Sequence, residues 1–322
     1  MNINNHSEPV RNYCEIDDIN RCVRQDVSAF IAAGEARYHE QIDNAAQMLA
    51  QNLKTCNIAL LTGPSASGKT TTAKKLAEAL LRRGINSHSV SLDDYYKSRN
   101  INEDPLDEYG NVDLESPFCL DISLIVKHMK ALSEYEEVRI PRFDFQNQRR
   151  ADDSHALRLG RDEVVIIEGI HALNDLITSD IGEHAFKIYA SARMRVTDDK
   201  YVIVHPEWMR LIRRIVRDAN FRGANVGMTL SLWNNIRRGE ILYIAPFKSR
   251  ADISIDTSIT YELGAMAGFV LPHIGDLDDD AFENVGVKPL AALLNRFEPV
   301  SEKLIPDNSL LREFIGGSIY KY

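Results

Sequence analysis

The sequence predicts an α/β protein with a mostly parallel sheet flanked by helices, a helical lid and a C-terminal helical tail. Two observations carry that prediction. The runs "NIALLTG" at 57–63 and "VVIIEG" at 164–169 are near-continuously apolar and end at glycine, as strands covered on both faces do. Amphipathic stretches alternate with such runs, and strand–helix alternation in one sheet implies parallel pairing through right-handed crossovers.

Along the chain, residues 36–53 carry Ile42, Ala45, Ala46 and Leu49 at helical spacing, so residues 1–55 read as a helical lead-in. A domain of residues 56–275 follows. Besides the two glycine-ended runs, "SHSVSL", "FKIYAS" and "ADISID" are its expected strands. A helix with Ala73, Leu76, Ala77, Leu80 and Leu81 on one side is expected after the first strand, stopped by Gly84. Residues 276–322 form the tail. They comprise an acidic solvated loop around "GDLDDDAFE", a helix over 288–297, and a short capped helix in "DNSLLREFIGG" stopped by Gly316 and Gly317.

Composition bounds the function. The chain has 322 residues, 44% of them hydrophobic and 26% charged, the profile of an ordinary globular protein. A net charge of −9 argues against non-specific nucleic-acid binding but leaves room for a local basic pocket. Cys14, Cys22, Cys56 and Cys119 form no CxxC pair and no metal-ligand spacing, which reads as free thiols in a reducing compartment. No apolar run approaches the roughly 20 residues that span a bilayer, and "MNINNHSEPVRNY" lacks a signal pattern. The expectation is a cytoplasmic protein without membrane partners, its oligomeric state open.

"GPSASGKT", residues 63–70, matches GxxxxGK[ST] in full, between an apolar strand and an amphipathic helix. Glycines let successive main-chain N–H groups converge on an anion, and the following helix adds its positive end. Gly63, Pro64, Ser65, Ala66, Ser67 and Gly68, with Thr71 beyond them, are therefore the expected contacts of a bound ATP or GTP. Lys69 reaches the β- and γ-phosphates, and the Thr70 hydroxyl is placed for Mg²⁺. Glu168 ends the "VVIIEG" strand, where a metal-associated carboxylate commonly sits. Asp93 and Asp94 in "SLDDYY" lie just past another strand's carboxyl end, where an acceptor hydroxyl needs a proton acceptor.

Taken together, "GPSASGKTT", "SLDDYY", "PRFDF", "IIEGIHAL" and "RLIRRIVRDANFRG" resemble the uridine kinase/phosphoribulokinase family over residues 58 to 263. The likeness is greatest to its bacterial uridine-kinase-like branch, which "NSLLREFIGGS" also resembles. The N-terminal ligand-binding module often joined to that branch is expected to be missing. The resemblance implies that Asp93 is the catalytic base and lies near the metal, with Thr70 and Glu168 as Mg²⁺ ligands. It implies that Tyr96 lines the acceptor pocket, that Glu115 holds ribose hydroxyls and that Phe143 packs on the base. Arg214, Arg217 and Arg222 match lid and phosphate-contacting arginines, Arg217 among the catalytic groups. Gln148 stands where pyrimidine kinases of the family carry a base-reading histidine. Phe143 replaces the usual tyrosine, and Glu115 is longer than the usual aspartate, so the acceptor stays open.

The helix "RLIRRIVRD" puts Arg210, Arg213, Arg214 and Arg217 on one stripe, with Leu211, Ile212, Ile215, Val216 and Ala219 opposite. Such a lid meets a triphosphate; Arg210 and Arg213 read instead as a solvated face paired with carboxylates. Gly223 and Gly227 are the expected flex points, Arg237 and Arg238 surface charge, and Trp233 lid packing. His171 reads either as facing the site or as a helix-start residue with a backbone partner. The expected activity is transfer of the ATP γ-phosphoryl to a small molecule's hydroxyl, first a uridine or cytidine 5′-OH. The alternatives are a sugar phosphate or vitamin precursor as acceptor, and a regulatory nucleotide-binding module without acceptor chemistry.

Overall fold

The computed structural model describes residues 12–322 except 101, 152–153, 182–183, 275–284 and 286–288. A short strand β1 (Tyr13–Glu15) runs into α1 (Ile16–Gln51), a helix much longer than the periodicity of residues 36–53 shows. It breaks at Asp26, whose φ of −159° is extended and whose carboxylate accepts the Ala29 N–H at 2.9 Å, capping the second half. Next come β2 (Ile58–Thr62), α2 (Lys69–Leu81) and β3 (Asn86–Ser91). Helix α3 (Ile122–Ser133) precedes the short strands β4 (Val138–Ile140), β5 (Phe143–Asp144), β6 (Arg149–Arg150) and β7 (His155–Leu157). Strand β8 (Glu163–Glu168), α4 (Asp175–Thr178), β9 (Ala185–Ser191) and the strands β10 (Arg195–Asp198) and β11 (Tyr201–Val204) follow. Helices α5 (Pro206–Phe221) and α6 (Val226–Tyr243), strand β12 (Ile253–Asp256) and α7 (Glu262–Ile274) complete the main body.

All five expected strands form one sheet in the order β12-β9-β2-β8-β3, and every pair is parallel. The antiparallel pairs lie outside it, in β4–β7, β5–β6 and β10–β11. Strand β2 is buried at every position, because helices cover both faces. Register sets the functional edge: Leu61 and Ser91 both align with Glu168, so β2, β3 and β8 finish side by side. In an open α/β sheet that edge is where ligands bind.

The buried face of α2 differs from the expected one. Thr72, Ala73, Leu76, Ala79 and Leu80 are buried, whereas Ala77 is half-buried and Leu81 is 62% exposed. The stripe is rotated because α2 packs on α1 as well as on the sheet. In the tail, the helix expected over 288–297 is a single turn, Leu290–Leu294, and the acidic stretch "GDLDDDAFE" lies outside the described residues, as do residues 1–11. "NSLLREFIGG" forms the expected short helix, Arg312–Ile315, which Gly316 and Gly317 stop with φ of +90° and +71°. Among the described residues the four cysteines form no disulfide. Among the described residues no helix is long and apolar enough to cross a membrane.

Candidate active site

The loop between β2 and α2 is shaped by close contact. A Cβ on Gly63 would sit 1.9 Å from the Ala190 carbonyl oxygen, so only glycine fits there. Gly68 turns the chain into α2 with φ +81°. Inside the loop the Ser67 hydroxyl is fully buried with no hydrogen-bond partner among the described residues. A buried, unpaired donor beside a ring of main-chain amides suits an anion.

Lys69 donates to the Pro64 carbonyl at 3.1 Å. Confinement lowers its pKa, and the nearby Glu168 and Asp93 carboxylates oppose that fall. Asp93 sits in the 3-10 turn after β3, on the wall of the cleft. Solvent reaches it, yet the surrounding protein raises its pKa, against the pull of Lys69, Arg222 and Arg217. Asp94 serves the fold instead, accepting the Phe143 N–H at 3.3 Å and so holding the β5–β6 hairpin. Glu168 is pushed up to about 7 by burial and then by the charge of Asp93, while Lys69 pulls it down. Ser91 donates to it at 3.1 Å.

These groups open into one cleft of about 960 Å³. It is lined by Ser65, Ala66, Ser67, Gly68, Lys69 and Thr70 of the loop, by Asp93 and Glu168, and by Tyr96, Glu115, Phe143 and Gln148. Arg214, Arg217 and Arg222 line it as well. Tyr96 and Phe143 lie 5.5 Å apart, ring to ring, and Phe145 stacks edge-on to Phe143 at 5.0 Å. Gln148 takes a left-handed backbone, φ +51°, at the turn of this hairpin. Glu115 is pushed up to about 7, first by burial, with Arg214 opposing.

Some residues stand elsewhere than the sequence suggests. Thr71 is fully buried and its donors are taken by the chain itself: its hydroxyl meets the Glu313 carboxylate at 2.6 Å and its N–H the same oxygen at 3.2 Å. Gly63 and Pro64 shape the loop and do not line the cleft. Arg210 and Arg213 are not a solvated face. Arg210 pairs with Glu240 at 2.7 Å and donates to the Ser65 carbonyl at 3.1 Å. Arg213, 0% exposed, forms a bidentate pair with Glu262 and reaches the Ala66 carbonyl at 3.4 Å. With Arg214 on the Ser65 hydroxyl at 2.8 Å, three members of the stripe fasten the loop.

The remaining expectations resolve similarly. Arg238 is no plain surface charge, because it pairs with the buried Asp113 at 2.9 Å, whereas Arg237 pairs with Glu240 at 3.1 Å. Trp233 packs in the lid under Arg210. Burial holds His171 down at about 4, against main-chain groups of Glu115 and Tyr243. Gly223, φ +64°, joins α5 to α6, whereas Gly227 lies within α6. The cleft also includes residues the sequence reading did not assign to it, among them Phe145, legible as the second aromatic of "PRFDF" on the same hairpin face, and Glu313, which no local pattern ties to the loop.

Residues 58–263 match the model of the phosphoribulokinase/uridine kinase family. The chain belongs to this family. A uridine kinase of Borrelia turicatae is 32% identical over 197 residues, covering 61% of this chain and 84% of the relative. A uridine kinase of Staphylococcus aureus is 28% identical over 207 residues, covering 63% and 88% respectively. A D-glycerate 3-kinase structure from Cryptococcus neoformans superposes with a TM-score of 0.36 at 15% identity, covering 86% of this chain and 87% of the other, a likeness too weak to bear on the reaction. As a member of this family the chain is a phosphotransferase acting on an alcohol group.

Proposed function

We propose that this phosphotransferase moves the γ-phosphoryl of ATP onto the hydroxyl of a small molecule, a nucleoside 5′-OH of the uridine or cytidine type. One observation carries the reading: the glycine loop with Lys69, the Asp93 carboxylate and an aromatic-walled recess open into a single cleft.

The loop amides and Lys69 hold and neutralise the triphosphate. Asp93, its affinity for a proton raised, takes the proton of the acceptor hydroxyl as that oxygen bonds to the γ-phosphorus and the bond to the leaving ADP oxygen breaks. Arg214 and Arg217 line the same cleft and in this reading supply the cations that the transferring group's spread charge needs. Thr70, Glu168 and Asp93 present hard oxygen donors suited to Mg²⁺. Two carboxylates and a hydroxyl are the kind of small oxygen donor set that would hold Mg²⁺ beside substrate phosphates. When bound, the ion would supply neutralisation of the phosphate charge. Tyr96, Phe143 and Phe145 offer faces for a planar base, Glu115 hydrogen bonds for vicinal hydroxyls, and Gln148 both donors and an acceptor for a base edge.

The test is an ADP-release screen over nucleosides, sugars, sugar phosphates and vitamin precursors, with the product identified by mass. A 5′-nucleotide product is expected; turnover confined to a non-nucleoside acceptor replaces the substrate assignment. In the same assay Asp93→Asn is expected to lose roughly 100-fold or more in turnover while binding ATP nearly as well. Unchanged turnover removes Asp93 as the base.

A further inference from the structure

The tail motif "NSLLREFIGGS" has no role in the scheme above, yet it lies against the phosphate loop. Leu310 packs so closely on Gly68 that a Cβ there would fall 2.6 Å from its Cδ1. The Phe314 ring lies 5.4 Å from the Arg213 guanidinium and 6.0 Å from that of Arg217. The Tyr322 hydroxyl comes to 3.0 Å from the Thr71 hydroxyl. Glu313, 7% exposed, puts one carboxylate oxygen on both the N–H and the hydroxyl of Thr71, and its other oxygen lies 3.8 Å from Arg217.

Thr71 is in the first turn of α2, where amides have no partner within the helix and the helix end favours negative charge. In a loop of this type those donors face phosphate. Here a carboxylate of the chain itself holds them. A nucleotide phosphate at the same donors meets a fixed negative charge, and both anions cannot occupy one N–H.

We propose that residues 310–322 act as an internal competitor for the nucleotide, with Glu313 seated as an anion on Thr71 and released when a nucleotide's phosphates take its place. This rests on reading residues 63–70 as a nucleotide site. Release also frees Arg217 from Glu313 for the bound phosphates, so the tail couples nucleotide entry to an arginine of the transfer site.

The test uses the full chain and ADP with Mg²⁺, and needs no acceptor. Glu313→Gln keeps the size and a carbonyl acceptor but removes the charge, so calorimetric titration is expected to show ADP binding about tenfold tighter than to the wild type. In the wild type, ADP is expected to speed amide hydrogen exchange across residues 310–322, a measurement that stands even if the variant folds poorly. Equal or weaker ADP binding by folded Glu313→Gln, or slower exchange in the tail on adding ADP, overturns the competitor. Absence of ADP binding in wild type and variant alike removes the nucleotide reading itself, and the competitor with it.

Discussion

Glu168 and Asp93 line the same cleft, and their ionisation reports the crowding. Burial and the neighbouring Asp93 charge raise Glu168 from an ordinary 4.5 to about 7. The folded chain therefore holds the Glu168 proton more tightly than the unfolded chain. The stabilisation is complete below about pH 4.5 and lost as pH rises through about 7. Glu168→Gln has no such proton. Without Mg²⁺ or nucleotide, wild-type stability relative to Glu168→Gln is expected to fall by on the order of 2 kcal/mol between pH 4.5 and 8. Parallel urea unfolding curves at those pH values check it, and a constant difference would place Glu168 outside the crowded site. Asp93 itself was legible in the sequence because a strand's carboxyl end and the sheet rule locate it. The choice of Asp93 over Asp94 was not derivable from their spacing, since only the hairpin shows Asp94 holding the Phe143 amide.

Helix α5 shows what periodicity conveys and what it misses. Its apolar face, Leu211, Ile212, Ile215 and Val216, is buried as the pattern requires. The charged stripe gave no sign that two of its arginines face protein too. Arg213 is buried because Glu262, at the start of α7, and the Thr257 carbonyl at 2.7 Å satisfy its donors. Glu262→Ala is expected to leave that guanidinium buried and unpaired, costing about 3–5 kcal/mol. Denaturant unfolding measures this, and a loss below about 1 kcal/mol would show that water or another group replaces the pair. Binding of ADP should weaken as well, because Arg213 also steadies the Ala66 carbonyl of the loop.

In the molecule as a whole, the N-terminal helix and the C-terminal tail share one hydrophobic core with the sheet's helices. The Tyr38 hydroxyl of α1 meets that of Thr72 at 2.7 Å, and Thr72 in turn donates to the Gly68 carbonyl at 2.7 Å, so α1 is tied directly to the phosphate loop. Ile42 is 2% exposed beneath α1. Ile42→Ala is expected to cost about 2–5 kcal/mol by opening a cavity between α1 and its neighbours. A thermal midpoint that stays put would mean α1 contributes little to the core.

Local rules decided much by themselves. The two glycine-ended apolar runs and the loop motif mark β2, β8 and the phosphate loop, because doubly covered strands and phosphate cradles require particular residues in immediate succession. The family's motifs add the two acids and the aromatic recess. What no window of sequence holds is the partner of each charge. The Glu313–Thr71 contact joins residues 242 positions apart, and the Arg213–Glu262 pair joins two helices. Those pairings exist because burying a charge is tolerable only beside its complement, and only the packed chain brings the complement there.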